Sequence, residues 1–228
     1  MRRSIIKVIV ICMLFVCCST PAPAADQPQS GVRKIYCAGP LFNAKEREEM
    51  GQITSVLEKN GFSVFLPHRD GIQLAVMLDV FIANGVPRQK AVEILNKSIF
   101  YLDVYQVLNS DGLILNLNGR VPDEGALVEA GIAWQAGKAI VIYKDDSRSL
   151  VDGNDNPLIM GLTGFRSLRD IQDIPKQFSV LFAGRLPGKG AAPEIQALAA
   201  KGRRIKEIIS SGKGATEIAR EMIGLLGH

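Results

Sequence analysis

The sequence predicts an α/β fold in which a parallel β-sheet carries helices on both faces. Short apolar segments without polar alternation recur along the chain, and amphipathic segments of helical length separate them. Strands of this kind are buried on both faces, as in sheets covered by helices. The chain has 228 residues, of which 47% are hydrophobic and 22% charged. This composition fits one globular domain with appendages.

Glycine and proline residues mark the ends of most predicted elements, because they favour turns over continued helix or strand. The strands are predicted at 34–38, 62–66, 112–116 and 139–143, with 165–168 as a fifth. The helices are predicted at 44–60, 72–83, 87–108 and 123–136. In parallel sheets, ligands bind beyond the carboxyl ends of the strands. The segments after Ala38, Leu66, Asn116 and Tyr143 are therefore the candidate binding region.

The C-terminal residues 185–228 have a different character from the predicted domain at 33–184. They are rich in glycine and proline at first and then form two basic segments of helical length, 191–209 and 215–226. We interpret them as a basic helical tail that packs on the domain or on a neighbouring subunit; the alternative is an arm for a membrane surface or nucleic acid. Residues 25–184 carry a net charge of −3. An acidic body argues against a nucleic-acid partner.

The N-terminal residues 1–24 have the pattern of a secretory signal peptide. Basic residues precede an apolar run from Val8 to Cys18, and Ala22-Pro23-Ala24 follows as a small-residue cleavage site. The run is too short to span a bilayer, so we expect no stable membrane span in the mature chain. The expected location is periplasmic or secreted. A retained anchor and a lipoprotein processed at Cys17 or Cys18 are the alternatives, and residues 25–32 are a linker.

No pattern in the sequence indicates a metal site or a cofactor. The phosphate-binding glycine motifs of nucleotide and dinucleotide sites are absent. With only His68 and His228, a histidine-based metal site or triad is close to excluded. Cleavage after Ala24 would leave Cys37 as the single cysteine, so the mature chain would have no internal disulfide. Cys37 lies in an apolar strand and is expected to be a buried thiol.

Glu129 is an unusual acidic residue in the helix predicted at 123–136. At about 100° per residue it shares a face with small and apolar side chains, including Ala126 and Ala133. A buried unpaired carboxylate costs several kcal/mol or has a raised pKa. Glu129 is therefore either a catalytic group or half of a structural ion pair.

Three further acids lie near this helix. Asp123 is the natural N-cap of this helix. Asp111 and Asp103 could each be a capping residue or a solvated surface residue. Alternatively, the acids cluster at one end of the sheet. Clustered acids can divide into a proton donor and an ionised group, which is the pair that cleavage of a glycosidic bond requires.

Several segments together resemble the nucleoside 2-deoxyribosyltransferase family over about residues 33–182. They are Lys34-Ile35-Tyr36-Cys37-Ala38-Gly39-Pro40, Asp111 before the third strand, Gly119-Arg120-Val121-Pro122-Asp123-Glu124-Gly125, Glu129-Ala130-Gly131-Ile132-Ala133 and Asn156-Pro157-Leu158-Ile159-Met160. The resemblance implies a flavodoxin-like, or Rossmann-like, three-layer sandwich. It also implies a homo-oligomer whose subunits complete one another's sites.

The resemblance also implies residue roles in base exchange through a covalent sugar intermediate. Glu129 resembles the nucleophile that attacks C1′, and Tyr36 the residue that orients it. Asp111 resembles the acid that contacts and protonates the departing base, and Asp123 the acceptor of the C5′ hydroxyl. Asp103 matches a further polar position near the base.

Four other residues are candidates for substrate binding. Gly39 and Gly125 lie in the matching segments, and Asn156 is near the position of an asparagine that a neighbouring subunit supplies in the family. His68 follows the second strand and is either a pocket residue or a plain loop residue.

The predicted function is transfer of a 2-deoxyribosyl group between a nucleoside and a free nucleobase, as in nucleotide salvage, without a cofactor. Asp123 would repel a 5′-phosphate, by about 4 kcal/mol per pair of charges at 4 Å and an effective dielectric of 20. The expected substrate is therefore an unphosphorylated nucleoside. The alternatives are an N-hydrolase of nucleosides or their monophosphates, and a secreted nucleotide-binding module without turnover.

Overall fold

The structure is a computed structural model that describes residues 31–119, 121–146, 155–184 and 190–227. The predicted signal peptide and lipidation cysteines lie outside the described residues. So do most of the predicted linker and the first residues of the tail. Among the described residues, no helix is both long and apolar enough to cross a membrane.

Four parallel strands form the sheet, in the order β2-β1-β3-β4. They are β1 (Lys34–Ala38), β2 (Ser63–Phe65), β3 (Gly112–Asn116) and β4 (Ala139–Tyr143). In the register of the central strands, Tyr36 of β1 lies opposite Phe65 of β2 and Leu113 of β3. Every residue of β3 and β4 is buried, which explains why these strands show no polar alternation.

Helices connect the strands and continue to the C-terminus. They are α1 (Ala44–Lys59), α2 (Pro67–Asp70), α3 (Leu74–Ala83), α4 (Arg88–Leu108), α5 (Glu124–Gln135), α6 (Pro157–Gly161), α7 (Ile174–Ala183), α8 (Pro193–Ile209) and α9 (Ala215–Leu226). The short helices α2 and α6, and α7, were not predicted from the sequence. The signal for α7 was present, because Ile174, Phe178 and Leu181 have helical spacing and Pro175 lies in the first turn.

The sheet separates two apolar cores, and this gives the predicted three-layer sandwich. On one face, Ile35 and Cys37 pack with Met50 and Ile53 of α1 and Phe178 of α7. The alternate residues of β1 point to the other face. There Tyr36 and Ala38 pack against the small residues of α5. Tyr36 is therefore directed to the layer that contains Glu129.

The fifth strand predicted at 165–168 is reduced to one parallel bridge between Leu168 and Tyr143. Gly164 and Phe165 both have positive φ, at 63° and 64°, so the backbone turns there and is not yet extended. The chain runs beside β4 only at its carboxyl end, where Leu168 exchanges backbone hydrogen bonds with Ile142 and Lys144.

The C-terminal helices pack on the same chain and form a third apolar cluster. Ile205 of α8 and Met222 of α9 are fully buried together with Phe81 of α3 and Leu95 of α4. At Gly202, α8 crosses α4 so closely that an added Cβ would lie 1.9 Å from the carbonyl oxygen of Tyr101. Glycine is required at this crossing because any side chain would separate the two helices.

Candidate active site

Tyr36 and Glu129 form the centre of the candidate site. Tyr36 is fully buried, and its ring stacks on Phe65 with a centroid distance of 5.6 Å. Its hydroxyl donates a hydrogen bond of 2.6 Å to Oε1 of Glu129. The stacked ring and the buried strand fix the position of the phenol, so the carboxyl group that it contacts is also fixed.

Asp123 and small side chains place Glu129 opposite Tyr36. Oδ1 of Asp123 accepts a hydrogen bond of 2.6 Å from the backbone N–H of Ala126 and so caps the N-terminus of α5. Ala126, Ala130 and Ala133 are buried against the sheet, and their small size brings the helix close to β1. Glu129 is half-buried at the margin of this contact.

Asp103 of α4 is the second acid at this centre. Its side chain interacts with the Tyr36 hydroxyl, and its charge also acts on Glu129. A single phenol therefore lies between two carboxyl groups. One hydroxyl has only one proton to donate, and in the structure it points to Glu129.

Burial raises the pKa values of both acids. The pKa of Glu129 is raised to about 8 by burial and then by the charge of Asp103, while the hydrogen bond from Tyr36 opposes the rise. The pKa of Asp103 is raised to about 7, also by burial and against the hydrogen bond with Tyr36. Near neutral pH the pair therefore retains a proton, and the two acids titrate as a coupled unit.

No lysine or arginine among the described residues forms an ion pair with Glu129. Each ion pair in this part of the chain involves another acid, such as Asp111, Asp146 or Glu93. The sequence left a catalytic group and a structural ion pair as alternatives for Glu129. Within the described residues, Glu129 has no cationic partner with which to form a structural ion pair.

Asp111 lies at the opposite end of the strands from the candidate binding region. It directly precedes β3, so it is at the amino end of the strands. Oδ1 accepts a hydrogen bond of 2.7 Å from Arg33, and Oδ2 one of 2.8 Å from the backbone N–H of Lys34. The structure thus brings Asp103, not Asp111, together with Tyr36 and Glu129. Both acids precede the motif at 119–125, and sequence spacing alone did not show which of them lies beside Tyr36.

The two candidate glycines make close contacts at the carboxyl edge of the sheet. Gly39 follows β1 and is buried, and an added Cβ would lie 2.8 Å from Cβ of Asn116 and from Sδ of Met50. Gly125 is exposed in the first turn of α5, where an added Cβ would lie 3.1 Å from Oδ1 of Asp123. A side chain at Gly39 would displace the core, and one at Gly125 would crowd the helix cap.

His68 and Asn156 are near the same edge but have no hydrogen bond to Glu129. His68 belongs to α2, directly after β2, and its Nδ1 is buried without a hydrogen-bond partner within the described residues. Burial and then the charges of Arg47 and Arg69 lower the pKa of His68. Asn156 is the N-cap of α6, where its Oδ1 accepts a hydrogen bond of 3.0 Å from the backbone N–H of Leu158.

The family of the chain follows from a sequence profile that covers the strands and helices of this site. The profile of the nucleoside 2-deoxyribosyltransferase family matches residues 35–170, more than half of the chain. The chain belongs to this family. The matched residues include Tyr36, Asp103 and Glu129. In contrast, α8 and α9 lie beyond the part that the family profile describes.

Solved structures of three proteins are similar to this nucleoside 2-deoxyribosyltransferase family member. A conserved protein from Enterococcus faecalis V583 is 18% identical, with 65% of this chain and 98% of that chain covered and a TM-score of 0.46. A 2-deoxyribosyltransferase from Bacillus psychrosaccharolyticus is 21% identical, with 70% and 99% covered and a TM-score of 0.46. A 2-desoxiribosyltransferase from Leishmania mexicana is 16% identical, with 68% and 99% covered and a TM-score of 0.38. No curated protein matches the chain.

A polar junction that was not predicted from the sequence lies beside the site of this family member. Asn116 and Asn118 follow one another at the carboxyl end of β3, and both are buried. They contact Glu49 of α1 and Asp145 after β4. The signal was the pair of asparagines at the end of an apolar strand, because buried amides need hydrogen-bond partners. Among the described residues, no group of acids, histidines and cysteines could hold a metal ion.

Proposed function

We propose that the protein transfers a 2-deoxyribosyl group between nucleobases through a covalent ester on Glu129. One observation carries the proposal, namely that Glu129 is held by the Tyr36 hydroxyl at 2.6 Å. Membership of the nucleoside 2-deoxyribosyltransferase family supports the same chemistry. A fixed carboxylate without a cationic partner in the described residues has an oxygen available for an anomeric carbon.

In the first half of the proposed reaction, a Glu129 oxygen forms a bond to C1′ while the bond from C1′ to the base nitrogen breaks. The coupled pair retains a proton close to neutrality, and the departing base takes up this proton from Asp103 in the form of the pair in which Glu129 is ionised. The hydrogen bond from Tyr36 stabilises the ionised form of Glu129, which is the form that attacks. The transition state has oxocarbenium character, as in retaining glycosidases.

In the second half, an acceptor base attacks C1′ from the side that the first base left, and the ester to Glu129 breaks. Asp103 accepts the proton that the incoming base gives up. If water takes the place of the acceptor, the same intermediate yields free deoxyribose. Hydrolysis and transfer therefore share one set of residues and differ in what resolves the ester.

The acids around the site favour an unphosphorylated substrate. We assign the C5′ hydroxyl to Asp123, whose Oδ1 caps α5 and whose charge also acts on Glu129. Asp145 and Glu49 lie on the same edge of the sheet. A phosphate dianion placed among these carboxylates would be repelled. We further propose that His68 and Asn156 line the base side of the site and that the protein acts as an exported homo-oligomer.

Intact-mass analysis after mixing the protein with deoxyinosine tests the proposal. The expected result is an added mass of one deoxyribosyl group, located on Glu129 by peptide mapping and absent from Glu129→Gln. Adenine added to the mixture should remove the adduct and give deoxyadenosine. Free base without adenine would indicate the hydrolase. A Glu129→Gln variant as active as the wild type would end the assignment.

Asp103→Asn and Asp111→Asn form a matched pair for the proton donor. We expect Asp103→Asn to slow adduct formation by at least about a hundredfold, in the range that general-acid catalysis contributes. Asp111→Asn should keep the wild-type rate and lose stability, because it removes the partner of Arg33. The opposite ranking would return the role of proton donor to Asp111.

A further inference from the structure

Asn118 is the centre of a hydrogen-bond junction that joins three parts of the fold. Its Nδ2 donates to Oε1 of Glu49 at 2.8 Å and to Oδ1 of Asp145 at 2.6 Å. Its Oδ1 accepts from the backbone N–H groups of Asp145 at 3.0 Å and Asp146 at 3.3 Å. Its own backbone N–H donates to Oδ1 of Asn116 at 3.0 Å. The side chain is only 8% exposed and uses both ends of its amide.

The junction requires an amide at position 118. The donor end faces two carboxylates, and neither Glu49 nor Asp145 forms an ion pair with a lysine or arginine in the described part of the chain. Tyr143 also interacts with Asp145 and Asn118. Lys144, the next residue before Asp145 in the chain, pairs with Asp146 and Asp155. A lysine or arginine could donate to the two carboxylates but could not accept the two backbone hydrogen bonds, whereas an amide does both.

The junction lies at the start of the connection that leads to Glu129. Asn116 ends β3, and the backbone N–H of Gly119 donates to Oδ2 of Asp146 at 3.1 Å. Asp123 then caps α5, which carries Glu129 in its second turn. The chain is thus fixed at the strand side by Asn118 and at the helix side by Asp123. A shift of the strand side would move the first turns of α5 relative to Tyr36.

We infer that Asn118 is a positioning residue that holds the N-terminal half of α5 and so sets the contact between Tyr36 and Glu129. This inference rests on the proposed function, because it gives that contact a role in the transfer reaction. Asn118 touches neither Tyr36 nor Glu129 itself. It acts through the backbone of the connection between β3 and α5.

Asn118→Asp gives the inference a pH-dependent signature. The new carboxyl group would face Glu49 and Asp145, and Asp146 and Tyr143 are beside it. Three ionised carboxylates at hydrogen-bond distances repel one another, so the pKa of the cluster should be raised. Below that pKa the added proton can replace one amide N–H as a hydrogen-bond donor, and the contacts of position 118 with Glu49 and Asp145 are kept. Above that pKa the carboxylates repel one another and these contacts are lost. The displacement of Glu129 from Tyr36 should therefore increase as the pH rises.

Two measurements on the full-length protein report on this effect. The first is the ¹³C resonance of the Glu129 carboxyl group, assigned with Glu129→Gln, which does not require turnover. In Asn118→Asp it should coincide with the wild-type resonance at pH 5 and depart from it at pH 8.5. The second is the rate of adduct formation with deoxyinosine. It should be within about threefold of wild type at pH 5.5 and at least about tenfold lower at pH 8.5, because small displacements of a nucleophile are costly.

Two further variants make the result specific. Adding Glu49→Gln to Asn118→Asp supplies a new amide donor to the new carboxyl group, and it should restore both readouts at pH 8.5. Asn60→Asp makes the same change at an exposed residue after α1 and should leave the Glu129 resonance and the rate unchanged. If Asn118→Asp does not fold, Asn118→Ala replaces it, with a loss of rate and a displaced Glu129 resonance expected at all pH values.

The two readouts separate the inference from the proposed function. A wild-type protein that forms no adduct, with a Glu129 resonance that responds to Asn118→Asp, refutes the proposed function and leaves the structural coupling in place. Adduct formation by the wild type, with a Glu129 resonance that is unchanged in Asn118→Asp at pH 8.5, overturns the inference. Failure of Glu49→Gln to restore the resonance would also overturn it.

Discussion

Glu129→Gln should make the protein more stable than the wild type at alkaline pH, even though it removes the proposed nucleophile. The folded protein raises the pKa of Glu129 from 4.5 to about 8. Between these pH values the unfolded chain releases the proton of Glu129, whereas the folded chain retains it. Raising the pH therefore stabilises the unfolded state relative to the folded state, and the wild type loses stability. Glutamine has no such proton, and its side chain can still accept the hydrogen bond from Tyr36.

The pKa of Glu129 sets the size of this effect. Each pH unit between the two pKa values corresponds to about 1.4 kcal/mol, so the limit above pH 8 is about 5 kcal/mol. Glu129 is half-buried, and water screens part of the cost of its charge. We therefore expect the free energy of unfolding of Glu129→Gln to exceed that of the wild type by about 1–3 kcal/mol at pH 8.5. Near pH 5 the two proteins should differ little.

Urea denaturation of both proteins between pH 5 and pH 8.5 measures this difference. Glu124→Gln is the control, because it makes the same change in the exposed first turn of α5. Its difference from the wild type should be small and nearly constant over this range. If the difference for Glu129→Gln is also constant, folded Glu129 has an ordinary pKa. Burial would then not retain the proton of Glu129 in the folded protein, contrary to the expectation.

Three other predictions follow from side chains described above. In Tyr36→Phe, loss of the hydroxyl should raise the pKa of Glu129, so the acidic limb of the pH profile for adduct formation should move to higher pH. If this limb does not move, the phenol does not act on Glu129. Gly202→Ala should lower the free energy of unfolding in chemical denaturation by at least about 2 kcal/mol. Gly224→Ala, in open space on α9, is the control and should raise the free energy of unfolding by up to about 1 kcal/mol. Similar effects of the two substitutions would contradict the close helix crossing. Cys37 is fully buried with its pKa raised to about 12, so a thiol reagent at pH 8 should modify it only after unfolding, and rapid labelling of the native protein would disprove this.

The strands of the sheet were predictable because burial on both faces leaves a direct pattern in the sequence. The predicted bounds of β1, β3 and β4 are the observed ones. The helix that begins after Asp123 was also predictable, since an N-cap and small residues at helical spacing occur together. These features depend on residues close in sequence, where propensity and periodicity act.

Contacts between distant segments were harder to predict. Asp103 and Asp111 are both acids before the same motif, and only the direction of α4 shows that Asp103 lies beside Tyr36 while Asp111 lies at the opposite edge of the sheet. The junction at Asn118 joins this residue to Glu49 and Asp145, which are 69 and 27 residues away in the chain. No local pattern indicates which carboxylates a buried amide will meet, so this information appears only when the strands are assembled.

The close crossing at Gly202 changes the environment of the helix that carries Asp103. Helix α4 packs in one apolar cluster with α3, α8 and α9, and α8 crosses it in backbone contact at Gly202. Hydrogen exchange in its central turns should therefore require opening of a large part of the molecule, not local fraying. Asp103, the proposed proton donor, should therefore lie on a slowly exchanging helix, and residues beyond 190 contribute to the rigidity of that helix.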